Sequence, residues 1–283
     1  MDSYRLELQI SVIILNALSI SLCLFAIIIY IFAKHLRIYA FKLVFWMNLA
    51  DLFRSIAQII PVIYKINDSF CEILGIIHMF SSCLTLYWAF VIAVTIYQVL
   101  VKKILDVEKY YTYWLGFGLT ICAICGIVPM LYNDYGYLLG DCTLKNNFAG
   151  LVTKFAEFYF PAFIISISNT VIFYRVYKTL KKEHELVSNK EKIDAKRLFY
   201  YPVVLIITVT PSTIDRALRF FDIESQMLYE VAGVLWTIQG ILNPLCYSLT
   251  KPVKEYIMSG CKKRTTLSSA GSDLNKESIL TDN

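Results

Sequence analysis

Charge is the scarcest property of this 283-residue sequence: Asp, Glu, Lys and Arg make up 17% of it, while 57% is hydrophobic. Soluble domains are roughly a quarter charged and just under half apolar. That balance excludes a soluble fold, a disordered chain and a coiled coil, because none tolerates so much Ile, Leu, Phe and Tyr beside so few charges. Histidine is rarer still, with three residues. None stands near a second metal ligand or a nucleophile, so no catalytic constellation, metal site or cofactor is expected. The 11 Gly and 7 Pro are scattered rather than clustered, so there is no low-complexity region, and eight Cys in a chain of this length do not make a disulfide scaffold. A net charge of +5 is too small to indicate nucleic acid.

What the sequence does have is long apolar runs, with a mean hydropathy of +0.57. A bilayer core takes about 20 mostly apolar residues in a helix. Seven runs qualify: 8–33, 41–64, 73–101, 111–132, 152–178, 198–221 and 228–249. The first is too long for a signal-peptide core and has no small-residue cleavage site after it, so it is read as a span. Lys and Arg then set the orientation, because basic loops resist translocation. Twenty of the 27 basic residues fall on one side, six on the other, and Arg54 lies deep in a span. The N-terminus is therefore expected outside and the C-terminus in the cytoplasm of a multi-pass plasma-membrane protein. The only glycosylation sequon, Asn67-Asp68-Ser69, falls in the first outer loop.

Charge inside a bilayer costs at least about 2.5 kcal/mol for a central Asp or Arg, so each occurrence indicates the bundle interior and a role. In the second span Asn48, Asp51, Ser55 and Gln58 recur at helical spacing as one polar stripe, with Arg54 beside Asp51. Two readings stay open: a local Asp51–Arg54 ion pair that neutralises itself, or a polar network crossing to Asn243 in the last span. Near the outer helix ends lie His78, Ser82 and Thr85 of the third span and Lys154 and Glu157 of the fifth. Asp215, Arg216 and Arg219 of the sixth and Glu230 of the seventh complete the group. Together they suit one outward-facing ligand pocket; singly, each has an ordinary structural explanation. Cys71 and Cys142 both fall on the oxidising face, where a disulfide between the third span and the second outer loop is expected. Cys122 and Cys125 have redox spacing but lie in an apolar helix and are read as packing. Cys261, beside Lys262, Lys263 and Arg264, suits palmitoylation. Pro161, Pro202, Pro211 and Pro244 punctuate the last three spans, where a kink gives a helix two packings close in energy.

Residues 1–250 are thus expected to form the membrane domain. Residues 251–262 follow as a membrane-surface helix whose Val253, Tyr256 and Ile257 face the bilayer. Residues 263–283 form a disordered cytoplasmic tail whose Ser and Thr hydroxyls are open to kinases. The expected fold is all-α, a seven-transmembrane helix bundle with a short amphipathic eighth helix.

Over nearly its whole length this pattern resembles a G-protein-coupled receptor. Asn48-Leu49-Ala50-Asp51-Leu52 looks like the second-helix motif of that superfamily, and Asn243-Pro244-Leu245-Cys246-Tyr247 matches its NPxxY pattern. Tyr201-Pro202 followed by Pro211-Ser212-Thr213-Ile214-Asp215-Arg216 is similar to helix six of the slime-mould cyclic-AMP-receptor-like (class E) group. So are Trp88, Ile92, Ala93 and Tyr97, and Gln239-Gly240. Two departures from rhodopsin-like receptors point the same way. Thr95-Ile96-Tyr97-Gln98 stands where an acid–Arg–Tyr triplet is usual, and Val209 stands where helix six usually has Trp.

The resemblance implies a cell-surface receptor that binds a small extracellular ligand and activates a heterotrimeric G protein, with Asp51, Arg54, Asn243, Pro244 and Tyr247 as the inner switch. A cyclic nucleotide is the ligand implied by the branch. Lys154, Arg216 and Arg219 suit its phosphate, although Glu157, Asp215 and Glu230 equally suit an amine. A small transporter or channel is the competing reading, without the internal repeat that many transporters carry. A retinal protein needs a Lys within the last span, and 228–249 has none.

Overall fold

The structure is a computed structural model that describes residues 2–64, 66–104, 106–138, 141–145, 148–182, 200–219, 223, 225–248, 250 and 252–258. The described residues form a bundle of seven long helices. Helix α1 spans Asp2–Phe32, α2 Tyr39–Ile63, α3 Asp68–Leu100 and α4 Tyr111–Leu131. Helix α5 begins at Phe148–Lys154, passes through a π-helical turn at Phe155–Tyr159 and continues as Phe160–Lys182. Helix α6 is Tyr200–Arg219, α7 is Gln226–Ser248, and a short α8 covers 252–258. Among the described residues α1 to α5 are long and apolar enough to cross a membrane. Helices α6 and α7 are similar in length but carry more polar side chains, including Thr208, Ser212, Asp215, Gln239 and Asn243, all of which they bury inside the bundle. Residues 183–199, between α5 and α6, lie outside the described residues.

Helix α3 is the axis of the bundle, packed against α2, α4, α5 and α6, while α7 packs against α1, α2 and α6. Its place explains why so much of α3 is buried, including Trp88, Val91 and Ala93 with no exposure. Elsewhere the usual inside-out rule is inverted. Ile14, Phe117 and Phe163 stand at least half exposed on α1, α4 and α5, as an apolar lipid-facing surface requires. Polar side chains turn inward instead.

Proline shapes two of the helices in identifiable ways. Pro161 has no N–H to donate to the carbonyl of Glu157, and its ring crowds that carbonyl. The chain relieves this by widening the preceding turn, so that the Phe160 N–H reaches back five residues to the Phe155 carbonyl. In α7, Pro244 frees the carbonyl of Gly240, which accepts instead from the Cys23 thiol of α1 at 3.5 Å. In α6 it is Pro211 that lies in the helix interior; Pro202 falls in the first turn of the described helix.

A β-hairpin, β1 Tyr135–Leu138 and β2 Asp141–Leu144, follows α4 and caps one end of the bundle, within the stretch that the sequence reads as the second outer loop. Asn133, at φ 53°, turns the chain out of α4 into it. Tyr135 lies on α3 over Gly75, where an added Cβ would meet the ring at 2.5 Å, and its hydroxyl donates to the Gly126 carbonyl at 2.7 Å. The expected Cys71–Cys142 disulfide then ties β2 to the top of α3. At the opposite end, α8 departs from expectation. Val253 is fully buried in the main core, with Tyr256 and Ile257 packed against it, so the apolar face of α8 turns to the bundle rather than to the bilayer.

Candidate functional site

The polar stripe of α2 divides among three tasks. Asn48 donates to the Val44 carbonyl of its own helix at 3.0 Å, and Ser55 bonds Ser19 of α1 at 2.8 Å. Asp51 is the hub. Its Oδ1 accepts from Thr85 of α3 at 3.0 Å and lies 3.3 Å from Nη2 of Arg54, and its Oδ2 accepts from Nδ2 of Asn243 on α7 at 2.7 Å. Both readings of the sequence therefore hold together: the ion pair is local, and the network also crosses to the last helix. Thr85 belongs here and not to the outer group in which the sequence had placed it.

Arg54 is 1% exposed and reaches away from Asp51 as well. Its Nη1 donates to the Trp236 carbonyl at 2.9 Å, and its guanidinium lies 5.1 Å from the centroid of the Trp236 ring. The approach is close because α7 has glycine there: a Cβ on Gly240 would meet Ser19 Oγ at 2.3 Å and Arg54 Nη2 at 2.9 Å. Pro244 is buried one residue after Asn243. Tyr247, 1% exposed, packs edge-on to Phe41 at 5.2 Å and makes no hydrogen bond through its hydroxyl among the described residues.

A second group gathers at the hairpin end. His78 of α3, Lys154 of α5 and Asp141 of β2 lie within electrostatic reach of one another. Burial pushes the Asp141 carboxyl above its usual range, and His78 and Lys154 oppose that shift. Glu157 lies near Asp134, whose Oδ2 accepts from Thr153 at 3.4 Å. Ser82 is buried on α3. Asp215 is 3% exposed on α6, three residues after Ser212, which donates to the Ala232 carbonyl of α7 at 3.5 Å. The side chains of Arg216, Arg219 and Glu230 lie outside the described residues, as does Cys261 with the tail.

Asp134 and Asp141 were missed by sequence reasoning. The signal for Asp141 was its place immediately before Cys142. The disulfide draws it over α3, with His78 two turns below Cys71. Among the described residues no three His, Cys, Asp or Glu are grouped to hold a metal. Asn67 caps α3, its Oδ1 accepting from the Phe70 N–H at 2.9 Å. Cys125 meets Cys83 of α3 across the helix contact, as packing predicts. Where the acid–Arg–Tyr triplet is missing, Tyr97 accepts instead from Arg175 of α5 at 3.3 Å. A groove of about 330 Å³ between α5 and α6, lined by Phe163, Ile167, Val171 and Ile214, lies apart from both clusters. Its Ser166, Thr170, Thr210 and Thr213 hydroxyls are spent on carbonyls of their own helices.

Residues 2–253 match the family model described as slime mold cyclic AMP receptor. The chain is 23% identical over 271 residues to cyclic AMP receptor-like protein A of Dictyostelium discoideum, covering 92% of this chain and 70% of that protein. It is 24% identical over 250 residues to G-protein coupled receptor 1 of Arabidopsis thaliana, covering 82% and 75%. The crystal structure of squid rhodopsin superimposes with a TM-score of 0.70 over 94% of this chain and 88% of that one, at 15% identity, which establishes the shared fold.

Proposed function

The chain belongs to the slime mold cyclic AMP receptor family, a group of G-protein-coupled receptors, and on that premise we propose that it binds a small extracellular ligand at the hairpin end of the bundle and signals to a heterotrimeric G protein at the other. By sequence, 20 of 27 basic residues fall in or beside the connections and tail assigned to that other side, which supports a cytoplasmic assignment for it, and a disulfide at the hairpin end suits the oxidising side. The ligand is of the cyclic-nucleotide class, in keeping with the name of the Dictyostelium relative. Lys154 is its phosphate-facing cation, with His78, Ser82, Glu157 and Asp215 as further pocket residues; Arg216, Arg219 and Glu230, whose side chains lie outside the described residues, are candidates from the sequence. The tail hydroxyls are kinase substrates.

The observation that carries this reading is Asp51, buried and held at once by groups of α2, α3 and α7. Asp51, Arg54, Asn243, Pro244 and Tyr247 form the switch. A ligand operates it only through its preference for one arrangement, and moving 1:99 to 99:1 takes about 5.5 kcal/mol of differential affinity. The test is nucleotide exchange by a G protein reconstituted with the purified receptor, with 3′,5′-cyclic AMP as the first probe. Exchange should accelerate with the probe, and Lys154→Glu should remove the response at unchanged surface expression. Asn243→Ala should remove it with binding retained. Solute flux in proteoliposomes without any exchange activity would replace the receptor reading with the transporter one.

A further inference from the structure

One aromatic side chain links the Asp51 network to the segment of α5 that carries Lys154 and Glu157. Trp236 of α7 presents its ring edge-on to Phe158 at 5.2 Å and 85°. The same ring lies 5.1 Å from the Arg54 guanidinium, and the Trp236 carbonyl holds Nη1 of that arginine. Phe158 in turn is carried by the π-helical turn Phe155–Tyr159, which begins one residue after Lys154 and includes Glu157. The order of contact therefore runs from the hairpin end through α5, α7 and α2 to Asp51, and from there back to α7 at Asn243.

The π-helical turn is the irregular member of this series. A π turn holds one residue more than the α-helix around it, and shifting it by one position turns the side chains it carries by about 100°. Pro161 holds the turn where it is, since the helix cannot close an ordinary bond across that position. At the far end of the series Arg54 is closely enclosed: Asp51 lies 3.3 Å from its Nη2, the Trp236 carbonyl lies 2.9 Å from its Nη1, and even a Cβ added at Gly240 would stand 2.9 Å from Nη2. A displaced indole therefore has to move the guanidinium.

We infer that Trp236 is the positioning residue that couples the π turn of α5 to the Asp51 network: movement of Phe158 displaces the indole, and the displaced indole draws Arg54 away from Asp51. The coupling itself rests on these contacts alone; only the identity of what moves the π turn rests on the ligand reading above.

Cys246 offers a readout that needs neither ligand nor G protein. It is a free, half-buried thiol next to Tyr247 on α7. In purified full-length receptor carrying Cys261→Ser, the rate at which a water-soluble maleimide reaches Cys246 is followed by peptide mass spectrometry. Phe158→Ala should change that rate about five-fold, the size expected of a contact worth one kcal/mol. The same substitution in a Trp236→Leu background should leave the rate unchanged, whereas in Trp236→Phe, which keeps an aromatic face, the response should survive. Phe158→Leu, which preserves the packing volume, provides the series if the alanine variant does not fold. An equal response with and without the indole overturns the inference, and so does no response in either. Failure of cyclic AMP to drive exchange would remove the proposed ligand and leave this coupling standing.

Discussion

Gly240→Ala is the smallest change that reaches the centre of the bundle. The new methyl would stand 2.3 Å from Ser19 Oγ, 2.9 Å from Arg54 Nη2 and 3.4 Å from Ser19 Cβ. Neither close neighbour can yield freely, because Ser19 is bonded to Ser55 and Arg54 to both Asp51 and Trp236. Either α7 moves off α1 or those bonds break. Overpacking of this kind costs about 1–3 kcal/mol. At about 2–4 °C per kcal/mol for a chain of this order of size, the melting temperature in detergent should fall by about 2–12 °C. Gly116→Ala is the control. That glycine has nothing within 4 Å, so the same substitution in α4 should not lower the melt, since alanine is the better helix former by up to about 1 kcal/mol. Adding Ser19→Ala to Gly240→Ala removes the closest contact. It should recover most of the loss, less about 0.6 kcal/mol for the Ser19–Ser55 bond. A Gly240→Ala protein that melts with the native one, or that gains nothing from Ser19→Ala, would refute the argument.

Cys142→Ser opens a bridge between residues 71 positions apart and should cost roughly 2–5 kcal/mol. Thermal unfolding with and without reductant checks this, and a melt indifferent to both reduction and the substitution would contradict it. Asp141 gives a pH signature. Burial raises its pKa in the folded protein against the opposing fields of His78 and Lys154. From its usual value of 3.8 upward the unfolded chain is therefore ionised while the folded one still holds its proton. Stability is greatest below that value, is lost as pH rises toward the folded pKa, and levels off above it. Asp141→Asn should raise the melting temperature at neutral pH and flatten its rise on acidification; parallel profiles for the two proteins would show that Asp141 is not the group responsible.

Apolar length alone located seven helices, most of whose described ends lie within a few residues of the expected ones, because spanning segments answer to one dominant constraint. The Asp51 network was legible for a related reason. A carboxylate in an apolar run needs partners, and Asn243 was the polar residue of the last span most suited to reach it. Trp236 was not legible, since Trp in an apolar helix gives no sign of standing over an arginine 182 positions away. The π turn escaped as well. Pro161 announced a kink, but whether a helix bends or takes in an extra residue is decided by what it packs against, here Trp236 through Phe158. The hairpin was hidden by its length: four residues a strand are too few to show alternation, and its fastening to Gly75 and Cys71 of α3 is long-range. Similarly, α8 showed an apolar face but not which of two apolar surroundings that face would meet.

The Asp51–Arg54 pair adds little to stability that apolar side chains could not. Inside a membrane bundle two charges recover in mutual attraction about what they lose in hydration, and well-packed apolar residues of the same volume often do better by about 1–4 kcal/mol. Val44, Met47, Trp88 and Val91 already supply tight packing around the same level. The difference lies in how the two kinds of contact respond to displacement. Apolar packing is a sum of many small contacts, each worth about 0.1–0.2 kcal/mol, and it weakens by degrees as helices slide. A buried hydrogen bond does not: once its partner leaves, the group bears a penalty of about 1–3 kcal/mol until it finds another. Asp51 is bound by groups of α2, α3 and α7 at distances from 2.7 to 3.3 Å, so those helices cannot drift relative to one another without exchanging partners. Their positions are thereby restricted to a few discrete arrangements. Discrete arrangements are what a ligand can select between, and on the proposed receptor reading the intramembrane charges, scarce as they are, would provide them.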